Sequence, residues 1–156
     1  IKPGEVDWEY IFGERGVRWF HTGGIFASLS ETTAEVAIEA MKVAKKHGTI
    51  ISYDLNYRPS LWKSIGGESK AQAVNRKLMS YVDFVFGNEE DFDAALRIKV
   101  KSDAKNYQKL DTESYLEMMQ SVNSEFPNIV GVATTLRTVK SASINDWNAL
   151  LWSKDD

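Results

Sequence analysis

The chain has 156 residues, a net charge of −3, 43% hydrophobic and 26% charged residues. That profile fits an ordinary globular chain with room for one domain or a large part of one, and its mild acidity gives no support for a nucleic-acid or membrane-surface role. It has no cysteine, which excludes disulfides and thiolate metal sites. The two histidines, His21 and His47, lie far apart. No apolar run nears the roughly 20 residues of a membrane span. The start lacks the basic-then-apolar layout of a signal peptide, so the expected setting is the cytoplasm.

The elements follow in chain order. Asp7 to Phe12 reads as a short helix with Asp7 as N-cap and Gly13 as its stop. Val17 to His21 reads as a strand. Gly23 and Gly24 after it allow a tight turn or close approach by a ligand. Ser28-Leu29-Ser30-Glu31 matches a capping box, and Ala37, Ala40, Met41 and Ala44 recur at helical spacing. Lys45-Lys46-His47 suits the negative end of that helix and Gly48 ends it. His47 is therefore expected to be a surface residue that complements the dipole.

Thr49 to Leu55 reads as a buried strand. A strand–helix–strand unit of this length predicts parallel strands with a right-handed crossover. Ser69 to Tyr81 looks helical, with Ala73, Val74, Lys77 and Leu78 at the right spacing. Asp83 to Phe86 is a short strand, and Asn88 opens a helix through Leu96. Arg97 to Leu110 reads as an exposed loop or a short helix. Asp111 or Thr112 caps a helix through Phe126, with Leu116, Met119 and Val122 inward. Ile129 to Ala133 is a fourth strand ending at Thr134-Thr135. Val139–Ile144 and Asn148–Trp152 are expected to form a hairpin around Asn145-Asp146.

The richest stretch is Asp54-Leu55-Asn56-Tyr57-Arg58-Pro59. In an extended chain Asp54, Asn56 and Arg58 share one face, and Pro59 keeps Arg58 extended. An acid, an amide and a guanidinium then converge at a strand's C-terminal end, where open α/β sheets bind ligands. Arg58 could grip a carboxylate or phosphate with two parallel hydrogen bonds. The plainer alternative is an N-cap acid, a turn amide and a surface arginine. No phosphate loop, dinucleotide fingerprint or Ser/His/Asp set stands out.

Asp54-Leu55-Asn56-Tyr57-Arg58 resembles the Asp-x-Asn-x-Arg segment of ribokinase-like (PfkB-type) sugar kinases. Asn88-Glu89-Glu90-Asp91 resembles their Asn-x-x-Glu motif, with Asp91 in place of the final Glu. Val132 to Leu136 lies where they carry a strand leading to the nucleotide site. His21-Thr22-Gly23-Gly24-Ile25, Ala133 to Arg137 and Ser141 to Trp147 look like the subgroup acting on 2-keto-3-deoxygluconate.

The resemblance implies a ribokinase-like, three-layer αβα fold with a mainly parallel sheet, incomplete here. It implies ATP- and Mg²⁺-dependent phosphorylation of a sugar acid, 2-keto-3-deoxygluconate foremost, by a longer parent. Arg58 would hold the substrate carboxylate, Gly24 and Ile25 would line the sugar pocket, and Asp54 and Asn56 would shape the floor between sugar and phosphate. Asn88 would organise the phosphates through Mg²⁺ and water, with the metal served by Glu90 or Asp91. Thr134 and Thr135 would sit near ATP. The family's Gly-Ala-Gly-Asp motif, whose Asp is the catalytic base, is absent from these residues. Residues 1–156 are thus expected to form the central part of one kinase domain, with no catalytic residue of their own, inactive alone and prone to self-association through exposed flanks. A non-catalytic α/β ligand-binding or regulatory domain is the alternative.

Overall fold

The structure is a computed structural model that describes residues 1–101, 112–141 and 143–154. Five strands form one sheet in the order β1-β2-β3-β4-β5. They are β1 (Trp19–Gly23), β2 (Ile50–Asp54), β3 (Phe84–Gly87), β4 (Gly131–Val139) and β5 (Asn145–Ser153). The first four run parallel, and β5 returns antiparallel to β4. The expected α/β class and mainly parallel sheet are both observed.

Among the described residues, six helices connect the strands: α1 (Gly24–Ala27), α2 (Thr33–Lys46), α3 (Pro59–Lys63), α4 (Gly67–Met79), α5 (Glu89–Leu96) and α6 (Thr112–Glu125). One sheet face carries Ile51, Tyr53, Val85 and Val132, which join the buried residues of α2, α4, α5 and α6 in a single core. Tyr53 fixes α4 to that face, its hydroxyl donating to Asn75 Oδ1 at 2.8 Å. Among the described residues, the helices lie on this face. The opposite face keeps Trp19, Ile50, Phe86 and Leu151 exposed.

Several boundaries differ from the sequence reading, each for a local reason. The first helical stretch continues as a π-helical turn over Tyr10–Glu14. Asp7 does accept the Tyr10 N–H at 2.9 Å, but Gly13 does not end the turn. Strand β1 starts two residues later than expected, at Trp19. Ser28 does not cap α2, because its hydroxyl donates to the Ile25 carbonyl and closes α1. Ser30 and Thr33 instead exchange hydrogen bonds at the start of α2.

The inner face of α4 is Ala71, Gln72, Asn75, Leu78 and Met79, so Ala73 and Lys77 point outward. In α6 Met118, Met119 and Val122 face inward and Leu116 is exposed. Strand β4 runs on to Val139, since β5 pairs with it from Val139↔Asn145 to Gly131↔Ser153. The hairpin therefore turns between Val139 and Asn145, not around Asn145-Asp146. Of the expected loop over 97–110, residues 102–110 lie outside the described residues, as does Asp111.

Candidate functional site

Strands β1 to β3 end side by side, and the pairing puts Gly23, Asp54 and Phe86 in one row. The chain then leaves β geometry. Asn56 takes a left-handed φ of 33°, a conformation that asparagine tolerates better than most residues. Simple alternation therefore does not carry the chain from Asp54 to Arg58. Arg58 is nonetheless extended (φ −128°, ψ 103°), as its place before Pro59 requires.

A second turn meets the first. Asn88 caps α5, its side chain accepting the Asp91 N–H at 2.8 Å. Asp91 answers with both carboxylate oxygens: Oδ2 accepts the Asn88 N–H at 3.1 Å, and Oδ1 accepts the Tyr57 N–H at 2.8 Å. One nearly buried carboxylate thus ties the β3–α5 turn to the β2–α3 loop. The result is a cleft of about 600 Å³ at the sheet's C-terminal edge, lined by Asp54, Asn56, Arg58, Gly87, Asn88 and Asp91. Trp19, His21, Ser52, Phe86 and Thr135 complete its wall.

Burial pushes the Asp54 carboxyl above the ordinary carboxylate range, and the nearby Asp91 charge adds to this. The Asn56 backbone N–H, His21 and Arg58 act in the opposite direction. Arg58 is exposed. Its guanidinium donates to the Tyr57 carbonyl at 2.9 Å, and among the described residues it pairs with no carboxylate. Ser52 Oγ accepts the Trp19 indole N–H at 2.8 Å and lies 2.8 Å from His21 Nδ1. Indole can only donate. The direction of the Ser52–His21 bond follows the imidazole tautomer.

The sequence-predicted residues divide. Asp54, Asn56, Arg58, Asn88, Asp91 and Thr135 meet at the cleft. Gly24 and Ile25 sit at the same sheet edge, on α1, but outside the cleft lining. The two glycines make room for backbone, not for a ligand. A Cβ on Gly24 would lie 2.0 Å from the Leu55 carbonyl oxygen, and one on Gly23 would lie 2.7 Å from that of Asp54. Glu90 is exposed and does not reach the lining. Thr134 is buried, its hydroxyl without a hydrogen-bond partner among the described residues. Sequence reasoning missed Trp19, His21, Ser52 and Phe86. Their signal is positional: the strand pairing puts Trp19 beside Ile50, His21 beside Ser52, and Asp54 beside Phe86.

No group of three or more acids or histidines among the described residues could hold a metal ion alone. Among the same residues, no helix is long and apolar enough to cross a membrane.

Residues 16–132 match the pfkB family carbohydrate kinase family. The chain is 37% identical over 79 residues to 2-dehydro-3-deoxygalactonokinase of Haloferax volcanii, a stretch covering 51% of this chain and 24% of that protein. It is 29% identical over 94 residues to 5-dehydro-2-deoxygluconokinase of Geobacillus kaustophilus, covering 60% of this chain and 26% of that one. The crystal structure of 2-dehydro-3-deoxygluconokinase from Thermotoga maritima superposes with a TM-score of 0.83 at 35% identity. That superposition covers 96% of this chain and 41% of that one, so the chain spans less than half the length of these relatives.

Proposed function

The chain belongs to the pfkB family of carbohydrate kinases, and from that premise we propose that it supplies the substrate-gripping part of a sugar-acid kinase acting on 2-keto-3-deoxygluconate or a close relative. The observation that carries this reading is the convergence of Asp54, Asn56 and Arg58 with Asn88 and Asp91 on one cleft. Arg58 has no carboxylate of its own among the described residues, so its planar fork is free for a ligand's two oxygens. The similarity to 2-dehydro-3-deoxygalactonokinase, 5-dehydro-2-deoxygluconokinase and 2-dehydro-3-deoxygluconokinase supports a keto-deoxy sugar substrate.

In phosphoryl transfer the protein mainly positions groups and neutralises charge. Arg58 orients the sugar by its carboxylate. Asp54 and Asn56 offer an acid and an amide to sugar hydroxyls. Asn88 and Asp91 suit Mg²⁺, which keeps most of its waters and takes one or two carboxylates plus substrate phosphates. Asp91 lines the cleft and holds two backbone N–H groups, which leaves outward lone pairs for such water. It is therefore a better candidate than Glu90. Bound Mg²⁺ would neutralise phosphate charge. Thr135, which also lines the cleft, would sit near ATP.

Steady-state kinetics test this reading in a kinase-length protein carrying the segment. Arg58→Ala should weaken transition-state binding of the sugar acid by about 2–4 kcal/mol if the pair is well desolvated. Arg58→Lys should lose less, and the KM for ATP should hold within about twofold. An unchanged kcat/KM for the sugar acid in Arg58→Ala would remove the carboxylate role.

A further inference from the structure

The two histidines stand in opposite situations. His47, at the end of α2, is tied through Nε2 to Glu9 at 2.7 Å. His21 stands on β1, exposed in the wall of the cleft that also holds Arg58. Its Nδ1 lies 2.8 Å from Ser52 Oγ. Among the described residues, His21 Nε2 makes no hydrogen bond.

Three strands hold that ring. The pairing of β1 with β2 sets His21 against Ser52. Ser52 is 1% exposed, and its Oγ also accepts the Trp19 indole N–H at 2.8 Å. One buried hydroxyl therefore joins two side chains of β1 to β2. Phe86 on β3 meets the imidazole edge to face, with centroids 6.3 Å apart and planes at 76°. With Nδ1 tied and one flank packed, the ring offers Nε2 as its open polar atom. A group held by strand residues is placed more precisely than one on a loop, and orienting it in advance lowers the ordering cost of binding.

We propose that His21 is a specificity-determining residue of the cleft, its Nε2 hydrogen-bonding a hydroxyl of the sugar acid whose carboxylate Arg58 holds. The inference rests on the sugar-acid reading above and adds a contact to it. A hydroxyl is the fitting partner because it both donates and accepts, so it meets Nε2 in either tautomer. A carboxylate or keto oxygen only accepts, and meets Nε2 only when that nitrogen carries a proton. A ligand without the hydroxyl leaves Nε2 to water, so the cleft favours hydroxylated 2-keto acids over plain ones. Ser52 and Trp19 act through His21, as positioning residues.

The test uses the 156-residue chain and two probes, 2-keto-3-deoxygluconate and 2-ketohexanoate. The second keeps the carbon chain, keto group and carboxylate but carries no hydroxyl. Nitrogen NMR reads each imidazole nitrogen, and His47→Gln leaves His21 as the single histidine. 2-Keto-3-deoxygluconate should shift His21 Nε2, whereas 2-ketohexanoate should bind and leave it in place. His21→Ala should weaken 2-keto-3-deoxygluconate by at least about fivefold, the worth of one hydrogen bond exchanged with water. It should hold 2-ketohexanoate within about twofold, which separates a lost contact from a lost fold. An unmoved Nε2, or an equal loss of both acids in His21→Ala, overturns the proposal. Arg58→Ala should weaken both acids. If it weakens neither while Nε2 still shifts, the carboxylate role fails and the His21 contact stands. A chain that takes up neither acid overturns both.

Discussion

At the scale of single residues, Asp54 and Gly24 carry opposite kinds of cost. Asp54 holds its proton more tightly in the fold than an ordinary carboxyl does, chiefly because burial disfavours its charge and then because Asp91 is near. The native state therefore binds more protons than the unfolded chain between the ordinary carboxylate value and the raised one. Stability from this group is fully present below that window and is lost as pH rises through it. Asp54→Asn removes the charge and should melt higher than the parent chain at about pH 7, with the difference closing towards about pH 3. Melting curves at both pH values check this, and a lower melting point at neutral pH would show that Asp54 stabilises the fold. Gly24 costs nothing as it stands, but its neighbour is backbone. An added Cβ would lie 2.0 Å from the Leu55 carbonyl oxygen, and a strand end cannot swing aside as a side-chain tip can. Gly24→Ala should cost about 1–3 kcal/mol or more. That should appear as a lower urea midpoint with an unchanged slope.

At the scale of elements, the start of α5 does two jobs. It begins a helix, and through Asp91 it holds the loop that carries Asn56 and Arg58. Asn88→Ala removes one acceptor and should cost about 1 kcal/mol, the usual worth of an N-cap. Asp91→Ala strips the partners from both the Asn88 and Tyr57 N–H groups, each worth about 1–3 kcal/mol when left unpaired. It should therefore cost more than Asn88→Ala, and it alone should speed hydrogen exchange at the Tyr57 amide. Equal exchange at Tyr57 in both variants would mean that Asp91 does not hold the loop. This coupling also shows what the sequence could reveal. Asp54, Asn56, Arg58, Asn88 and Asp91 were legible because they lie in two short motifs, although the strand alternation expected to align the first three breaks at Asn56. Trp19, His21, Ser52 and Phe86 were not, because their shared wall depends on the register of three strands. Strand β4 was read short at Thr135, since polar residues from Thr134 onward look like a strand end. Pairing with β5 satisfies their backbone groups and keeps them in the sheet. Ser28 misled for a similar reason, its hydroxyl turning to the Ile25 carbonyl.

At the scale of the whole molecule, the question is how much chemistry these 156 residues can perform alone. The cleft offers a fork for a carboxylate, an amide, two acids and a hydroxyl from Thr135. Asp54 sits half-buried beside Asp91. Asp91 already serves two backbone N–H groups, so it is a poor general base. The Gly-Ala-Gly-Asp pattern, which the family resemblance makes the source of both base and anion-hole donors, does not occur among these residues. One such donor is worth about 3–4 kcal/mol of transition-state stabilisation, and a general base adds about 10²–10⁴ in rate. Losing both should place turnover several orders of magnitude below the 1–100 s⁻¹ or so typical of kinases. The expected outcome for the purified chain is a cooperative unfolding transition, which shows that it is folded, together with no measurable ADP release from ATP and 2-keto-3-deoxygluconate. Binding is a separate matter. The cleft should still take up the sugar acid weakly, and Arg58→Ala should abolish that uptake in calorimetry. ADP release at about 1 s⁻¹ by the folded chain would overturn the prediction, and would mean that a carboxylate already in the cleft, Asp54 before Asp91, can accept the sugar's proton.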